Sequence, residues 1–164
     1  GAQQPLGVFT ASANGISTSR DVSTGNTTTT IEADNLFETF YSLKEGYMRN
    51  ATWIFHRSAL KQVRKLQDGQ GQYIWQPGLS GGQPSTILDR PYFMSEYAPS
   101  TFTTGLYVGI VGDFSYYWIA DAMSMTIQRL VELYAANFQD GFIGLLEVDG
   151  MPVIENAFAR VKLA

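Results

Sequence analysis

His56 is the single histidine of this 164-residue chain, so any serine, histidine and aspartate relay would have to run through it. It stands between the β-branched and aromatic run Thr52–Phe55 and Ser58, which reads as the cap of a helix. At such a junction an imidazole serves structure by hydrogen bonding more readily than it moves protons. Two carboxylate pairings suggest acid–base chemistry: Asp113 and Asp121 flank an aromatic strand, and Glu147 and Asp149 share one strand face. Turn placement accounts for Asp113 after Gly112 and for Asp149 before Gly150 without any reaction, so a hydrolase built on Asp113 and Asp149 is the weakest reading. With one histidine and no cysteine, the chain lacks a ligand cluster for zinc, and no loop carries the alternating acidic pattern of a calcium site. The sequence therefore predicts no catalytic residue, no cofactor and no metal.

Two further stretches invite a ligand. Gly78 to Gly82 resembles a phosphate cradle only in its glycines, because no Gly-Lys-Ser/Thr follows and the next basic residue is Arg90. It reads as a surface loop. Phe114, Tyr116, Tyr117 and Trp118 could stack sugars or bases, but the positive charge that accompanies nucleic-acid stacking is missing from this segment. Core and subunit interface are the stronger readings, and a carbohydrate-binding β module using Tyr116 to Trp118 stays open as an alternative.

The elements that must position these residues follow from composition and periodicity. Hydrophobic residues make up 45% of the chain and charged ones 16%, which predicts a packed globular domain. Aromatics at 13% exceed what a lone small domain easily hides and favour extensive interfaces. A net charge of −4 with 11 scattered Lys and Arg gives no footprint for sequence-specific nucleic-acid binding. No apolar run is long enough to span a membrane, and the start has neither the basic nor the apolar region of a signal peptide.

Along the chain, the first thirty residues, rich in Gly, Ser, Thr and Asn, read as an extended and poorly regular arm. Thr29 with Glu32 forms a capping-box pattern, and Leu36, Phe37, Phe40, Leu43 and Tyr47 predict one helix over about 31 to 48. A strand follows at Thr52 to Phe55, then a helix capped by Ser58, burying Leu60, Val63 and Leu66 and stopped by Gly69. Asp68-Gly69-Gln70-Gly71 is turn chemistry, Tyr73-Ile74-Trp75 a short strand, and Ile87 to Ser95 a strand that Pro91 restricts to an edge or to a position needing no ladder donor. Strands are predicted at Leu106 to Val111, at Tyr116 to Ala120 and from Met123 to about 130. The last segment, Phe142 to Val148, a turn at Asp149-Gly150 and then Val153 to Leu163, reads as a paired terminal hairpin. The whole is α+β.

Five ordered blocks carry a resemblance. Gly1-Ala2-Gln3-Gln4-Pro5-Leu6-Gly7-Val8 is similar to the glycine-rich stretch ending in Pro-x-Gly midway through major capsid proteins of the Hong Kong 97 type, the family of tailed-bacteriophage shells. Leu66 to Pro77, containing Tyr73-Ile74-Trp75, Pro84 to Tyr92, Gly112-Asp113-Phe114, and Val148-Asp149-Gly150 with Ala157-Phe158 resemble later segments in the same order, Asp89 standing where relatives carry glycine. The resemblance implies the family's α+β capsid fold: an axial domain over residues 52–148 with a central mixed or antiparallel sheet flanked by helices. Residues 1–51 and 149–164 would be an extended segment and helix, and a returning strand, of the peripheral domain. It also implies that the N-terminal arm and extended loop would lie ahead of Gly1, roughly a hundred residues or more by typical domain size. The crosslinking lysine of some relatives would sit in that loop, so no isopeptide role falls to a residue here.

The implied function is structural: a subunit of an icosahedral phage or prophage head, assembling with its own copies into pentamers and hexamers that enclose the genome. Scaffolding protein is an implied partner, assembly in the bacterial host cytoplasm the implied setting, and the virion the destination. The ring-facing contacts are expected at Gly78, Leu79, Ser80, Gly81, Gly82 and Gln83, and around Ala98 to Thr104, with Pro99, Thr101 and Phe102 as candidates. An encapsulin-like cellular nanocompartment shares the architecture and is the first alternative.

Overall fold

Trp53 and Phe55 alternate onto one face of a four-residue strand, both fully buried with their rings stacked 5.4 Å apart, and the rest of the fold is arranged around them. The computed structural model describes residues 4–74, 86–130 and 137–164. Within these, the strands are β1 (Asp21–Val22), β2 (Thr52–Phe55), β3 (Thr86–Ile87), β4 (Arg90–Met94), β5 (Tyr107–Gly112), β6 (Tyr117–Leu130), β7 (Gly141–Pro152) and β8 (Phe158–Lys162). The helices are α1 (Ala33–Tyr41), α2 (Glu45–Met48) and α3 (Arg57–Arg64).

Six strands form one mixed sheet in the order β1-β8-β5-β2-β4-β3, with β1/β8 and β2/β4 parallel and the other pairings antiparallel. Its main face is covered by α1 through Leu36 and Phe40 and by α3 through Ala59, Leu60 and Val63, packed against Trp53, Phe55, Val108, Val111 and Val161. Ile110 and Phe158 belong to a second, smaller cluster with Ile16, Ala157, Tyr47 and Ile54. The remaining strands, β6 and β7, pair only with each other among the described residues and form a long antiparallel ribbon.

Several expectations are corrected. The helix predicted over 31 to 48 is interrupted after Tyr41, because the Ser42 carbonyl, which a continuing helix would use, accepts instead from the Arg20 guanidinium at 2.8 Å. The Thr29 capping box is not used, since the N-cap residue is Glu32 and it makes no side-chain cap bond. Helix α3 is capped by His56 rather than Ser58: the His56 Nδ1 accepts the Ser58 amide at 3.2 Å. It also ends at Arg64, five residues short of Gly69, where Gln67 bridges to Tyr73 and the Asp68 carboxylate takes the amides of Gln70 and Gln72.

The terminal hairpin is likewise not formed as predicted. β7 runs straight through Asp149 and Gly150, which pair with Ala120 and Ile119, whereas β8 joins the other sheet beside β5 and β1. Gly150 is a clearance position instead of a turn: a Cβ there would meet the Tyr117 hydroxyl at 2.9 Å. Pro91 sits opposite Thr86, one residue before the β2–β4 ladder begins at Tyr92, so its missing donor costs that ladder nothing. The β3–β4 turn is made by Leu88 and Asp89, both with positive φ (50° and 60°), the conformation for which Asp89 stands in place of glycine.

The N-terminal segment is extended as expected, yet it is fastened to the body. Asn26 donates to the Lys162 carbonyl and accepts the Glu32 amide, and the fully buried Asn35 donates to the carbonyls of Val22 and Thr24. The deepest tie is ionic. Arg160, fully buried in β8, meets the Asp21 carboxylate at 2.6 Å, donates to the Ser17 carbonyl and lies 4.4 Å over the Tyr107 ring.

Candidate assembly surface

β6 and β7 are built from alternating residues, and strand alternation sends neighbours to opposite faces. In a sheet with one face on a core, only one of those faces would be apolar. Here both are. The face holding the cross-strand pairs Trp118/Met151, Met123/Glu147, Thr126/Leu145 and Gln128/Ile143 carries Trp118, Met123, Leu145 and Ile143, exposed by 63%, 46%, 57% and 42%. The other carries Ile119, Ile127, Phe142 and Leu146, exposed by 63–70%. A two-stranded ribbon has too little internal burial to stand alone in water, and its apolar faces require cover.

The charge on the ribbon is unevenly divided. Glu147 and Asp149, two residues apart on β7, share the Trp118 face, as the sequence predicts, and no Lys or Arg is among its described pairs. Arg129 pairs with Phe142 on the opposite face, where it meets Asp140 in an ion pair. The ribbon's base is tied to the N-terminal segment, the Leu6 amide donating to the Gly150 carbonyl at 2.7 Å and the Tyr117 hydroxyl to the Leu6 carbonyl at 3.2 Å.

A contrasting surface lies on the sheet body. Helix α3 has no acidic residue, and Arg57, Lys61, Arg64 and Lys65 line a shallow groove with Leu60 and the exposed Met94. Phe93, its neighbour on β4, pairs with Ile54 and lies on the opposite face of the sheet, 63% exposed. Within this surface Arg64 donates to the Tyr92 hydroxyl at 2.6 Å, and Arg57 reaches Glu96 at 3.4 Å. A cavity of about 190 Å³ between α1, α3 and β3 is mostly apolar, lined by Leu36, Phe37, Val63 and Leu66 among others, with Thr86 the one polar side-chain type among its described lining residues.

The residues singled out for chemistry are dispersed. His56 holds the start of α3 and its Nε2 lies 3.1 Å from Glu96. Asp113, buried at the end of β5, accepts from the amide and hydroxyl of Ser115, and Asp149 accepts from its neighbour Gly150 out on the ribbon. Asp121 lies within β6 opposite Val148. Of the aromatic group, Phe114 packs edge-on against Phe158 and Tyr116 against Tyr47, the Tyr117 hydroxyl donates to the Leu6 carbonyl, and Trp118 is 63% exposed on the ribbon. No cluster of three His, Asp or Glu suited to a metal occurs among the described residues. No helix among them is long and apolar enough to cross a membrane.

Of the expected contact residues, Gly78, Leu79, Ser80, Gly81, Gly82 and Gln83 lie outside the described residues, as does Trp75. Thr101 is exposed and Pro99 half-buried, while Phe102 turns partly inward against the main core. Tyr97, fully exposed just before them, was missed, and so were the ribbon's two faces, whose signal was present as apolar residues at consecutive positions such as Trp118-Ile119 and Leu145-Leu146. The Asp21–Arg160 pair was also unforeseen; its signal was a lone cation inside the apolar run Phe158 to Val161.

Comparison with known proteins places this geometry. Residues 1–163 match the family described as the phage capsid family. No curated protein matches the sequence. Among solved structures, the capsid of a native GTA particle computed with C5 symmetry is similar with a TM-score of 0.79 and 24% identity, over 100% of this chain and 57% of that one. The capsid of the empty GTA particle gives 0.74 and 22%, over 99% and 54%. A structure from Gordonia phage Cozz gives 0.62 and 14%, over 100% and 56%. The chain thus spans a little over half the length of the capsid chains whose fold it has.

Proposed function

This chain belongs to the phage capsid family, and from that premise we propose that it serves as a structural subunit of an icosahedral phage or prophage head, repeated in pentamers and hexamers that enclose the genome. The observation that carries this reading is the β6–β7 ribbon, whose two faces leave Trp118, Ile119, Ile127, Phe142 and Leu146 in water, each more than 60% exposed. A surface of that kind is stable only when covered, and a shell covers it many times over by copying one contact around each ring. The work is mechanical, with no step that calls for a nucleophile, metal or cofactor.

In this reading residues 52–148 act as the axial domain, and residues 1–51 with 149–164 contribute to the peripheral domain. The exposed Thr101 and half-buried Pro99, with Phe102 behind them, and residues 78–83 are ring contacts. The destination is the virion, with assembly in the host cytoplasm and scaffolding protein as a transient partner. Negative-stain electron microscopy of the full-length gene product, purified from an expressing bacterium, tests the proposal. Rings or closed shells are expected, and a monomer at all concentrations up to those of an infected cell would overturn it.

A further inference from the structure

Asn14 is the one asparagine of the chain that is followed by glycine. An asparagine carboxamide is most open to attack by the next residue's backbone nitrogen when that residue is glycine, because no Cβ crowds the nitrogen. Asn14 is exposed, and its carboxamide makes no hydrogen bond among the described residues, so the side chain is free to turn onto the backbone. The Gly15 amide is held by a bond to the Ser12 carbonyl at 3.3 Å, longer than the usual range. Packing fixes the glycine: a Cβ at 15 would lie 2.4 Å from Leu6 Cδ2 and 3.4 Å from Pro152 Cγ, and Leu6 is itself buried. The fold thus demands glycine where glycine makes its neighbour reactive. We propose that Asn14 is a site of spontaneous deamidation, and that the acid formed there loosens the base of the β6–β7 ribbon.

In the first step the Gly15 nitrogen gives its proton to solvent and bonds to Asn14 Cγ, the Cγ–Nδ2 bond breaks, and Nδ2 leaves as ammonia after taking a proton from water. The cyclic imide then takes up one water. Opening between Cγ and the nitrogen gives aspartate, whereas opening at the former backbone carbonyl gives isoaspartate, with the chain running through Cβ. The net change is carboxamide and water to carboxylate and ammonium, without oxidant or reductant. Asn14 lines one cleft with Leu6, Asp149, Gly150 and Met151, so the new carboxylate stands beside that of Asp149 and the two repel. The bond they strain is in the same cleft, from the Leu6 amide to the Gly150 carbonyl at 2.7 Å. Isoaspartate also lengthens the backbone two residues before Ile16, whose fully buried side chain leaves no slack to absorb it. This inference goes beyond the shell reading and does not depend on it.

Peptide mapping of the full-length protein, aged at mildly alkaline pH in water enriched with oxygen-18, tests the chemistry. Asn14 should gain labelled acid at least about tenfold faster than Asn50, which is also exposed but is followed by Ala51. Asn14→Gln should remove the isoaspartate that an isoaspartyl methyltransferase detects. Conversion at Asn14 no faster than at Asn50, or isoaspartate undiminished in Asn14→Gln, overturns the site. Asn14→Asp tests the consequence without ageing: hydrogen exchange at the Leu6 amide should quicken about twofold or more, the size of an exposed like-charge contact, while the core amides of β5 keep their protection. Asn14→Gln should leave Leu6 exchange at the wild-type rate. An unchanged rate in Asn14→Asp, or an equal rise in Asn14→Gln, overturns the effect of the new charge on the ribbon. Failure of either arm leaves the shell reading standing, since electron microscopy of the wild type decides that separately.

Discussion

The sheet body and the β6–β7 ribbon are made of similar residues and meet opposite fates. In the body, Trp53, Phe55, Val108 and Val161 are sealed to 0% exposure between a sheet and two helices, and even Arg160 is fully buried with Asp21 as its counter-ion. In the ribbon, Ile127 and Leu146 remain exposed by 67% and 63%. What separates the two is layering: the body has a second layer of helices and N-terminal strap to exclude water, while the ribbon has none within the described chain. The body is thus stabilised by this chain alone, and the ribbon by whatever it meets.

The largest effect should come from opening the body's ionic tie. Removing the carboxylate in Asp21→Ala leaves the Arg160 guanidinium buried without a counter-charge and takes away the acceptor of the Tyr107 hydroxyl, 3.0 Å away. Breaking a buried pair from one side costs about 3–5 kcal/mol. Chemical denaturation should show a loss of that size, and a loss below about 1 kcal/mol would place the pair in water, not in the core.

Next is a change of one methyl group. A Cβ on Gly109 would fall within the ring of Phe55, far inside van der Waals contact, and Phe55 is held by stacking on Trp53. Overpacking of this kind costs about 1–3 kcal/mol and outweighs the smaller gain from a stiffer unfolded chain. Gly109→Ala should therefore lower the denaturation midpoint, and the double variant with Phe55→Leu should lose less than the sum of the two single changes.

These two sites also mark what was legible in the sequence. The strand Thr52–Phe55, the end of β6 near 130, the Gly112-Asp113 break and the capsid fold were readable, because each rests on local periodicity or on an ordered series of motifs. The interruption of the first helix, the fastening of the N-terminal segment and the departure of β8 from β7 were not. Each depends on a partner far along the chain: Arg20 for Ser42, Arg160 for Asp21, Val111 for Ala159. Of the candidate contacts, Thr101 could be read as surface from its neighbours, whereas the inward turn of Phe102 required knowing where the core lies.

A smaller effect tests the same ionic tie by pH. Burial, and after it the hydrogen bond to Asp21, raises the Tyr107 phenol above its ordinary value of 10, with Arg160 pulling the other way. A folded-state pKa above the unfolded one means that the native state holds its proton longer, so this stabilisation is complete below pH 10 and is lost as pH rises through the folded value. Stability measured upward from pH 9 should decline more steeply in the wild type than in Tyr107→Phe. Parallel curves would mean that the phenol titrates alike in both states.

The smallest effect on stability belongs to the ribbon, and its smallness is what distinguishes the regions. Ile127 and Leu146 lie on the face opposite Trp118 and project into solvent in the lone subunit. Replacing both by serine removes apolar area that folding of the subunit does not bury, so its denaturation midpoint should move by no more than about 0.5 kcal/mol. The same variant should bind markedly less of a hydrophobic dye such as anilinonaphthalene sulfonate, because the exposed patch is the dye's target. In the assembled protein, each side chain would instead forfeit about 1.5–3 kcal/mol of burial per copy, and particles should dissociate at lower denaturant than wild type. Equal losses in the lone subunit and the particle would show the ribbon to be covered by its own chain, and the contrast between the regions would disappear.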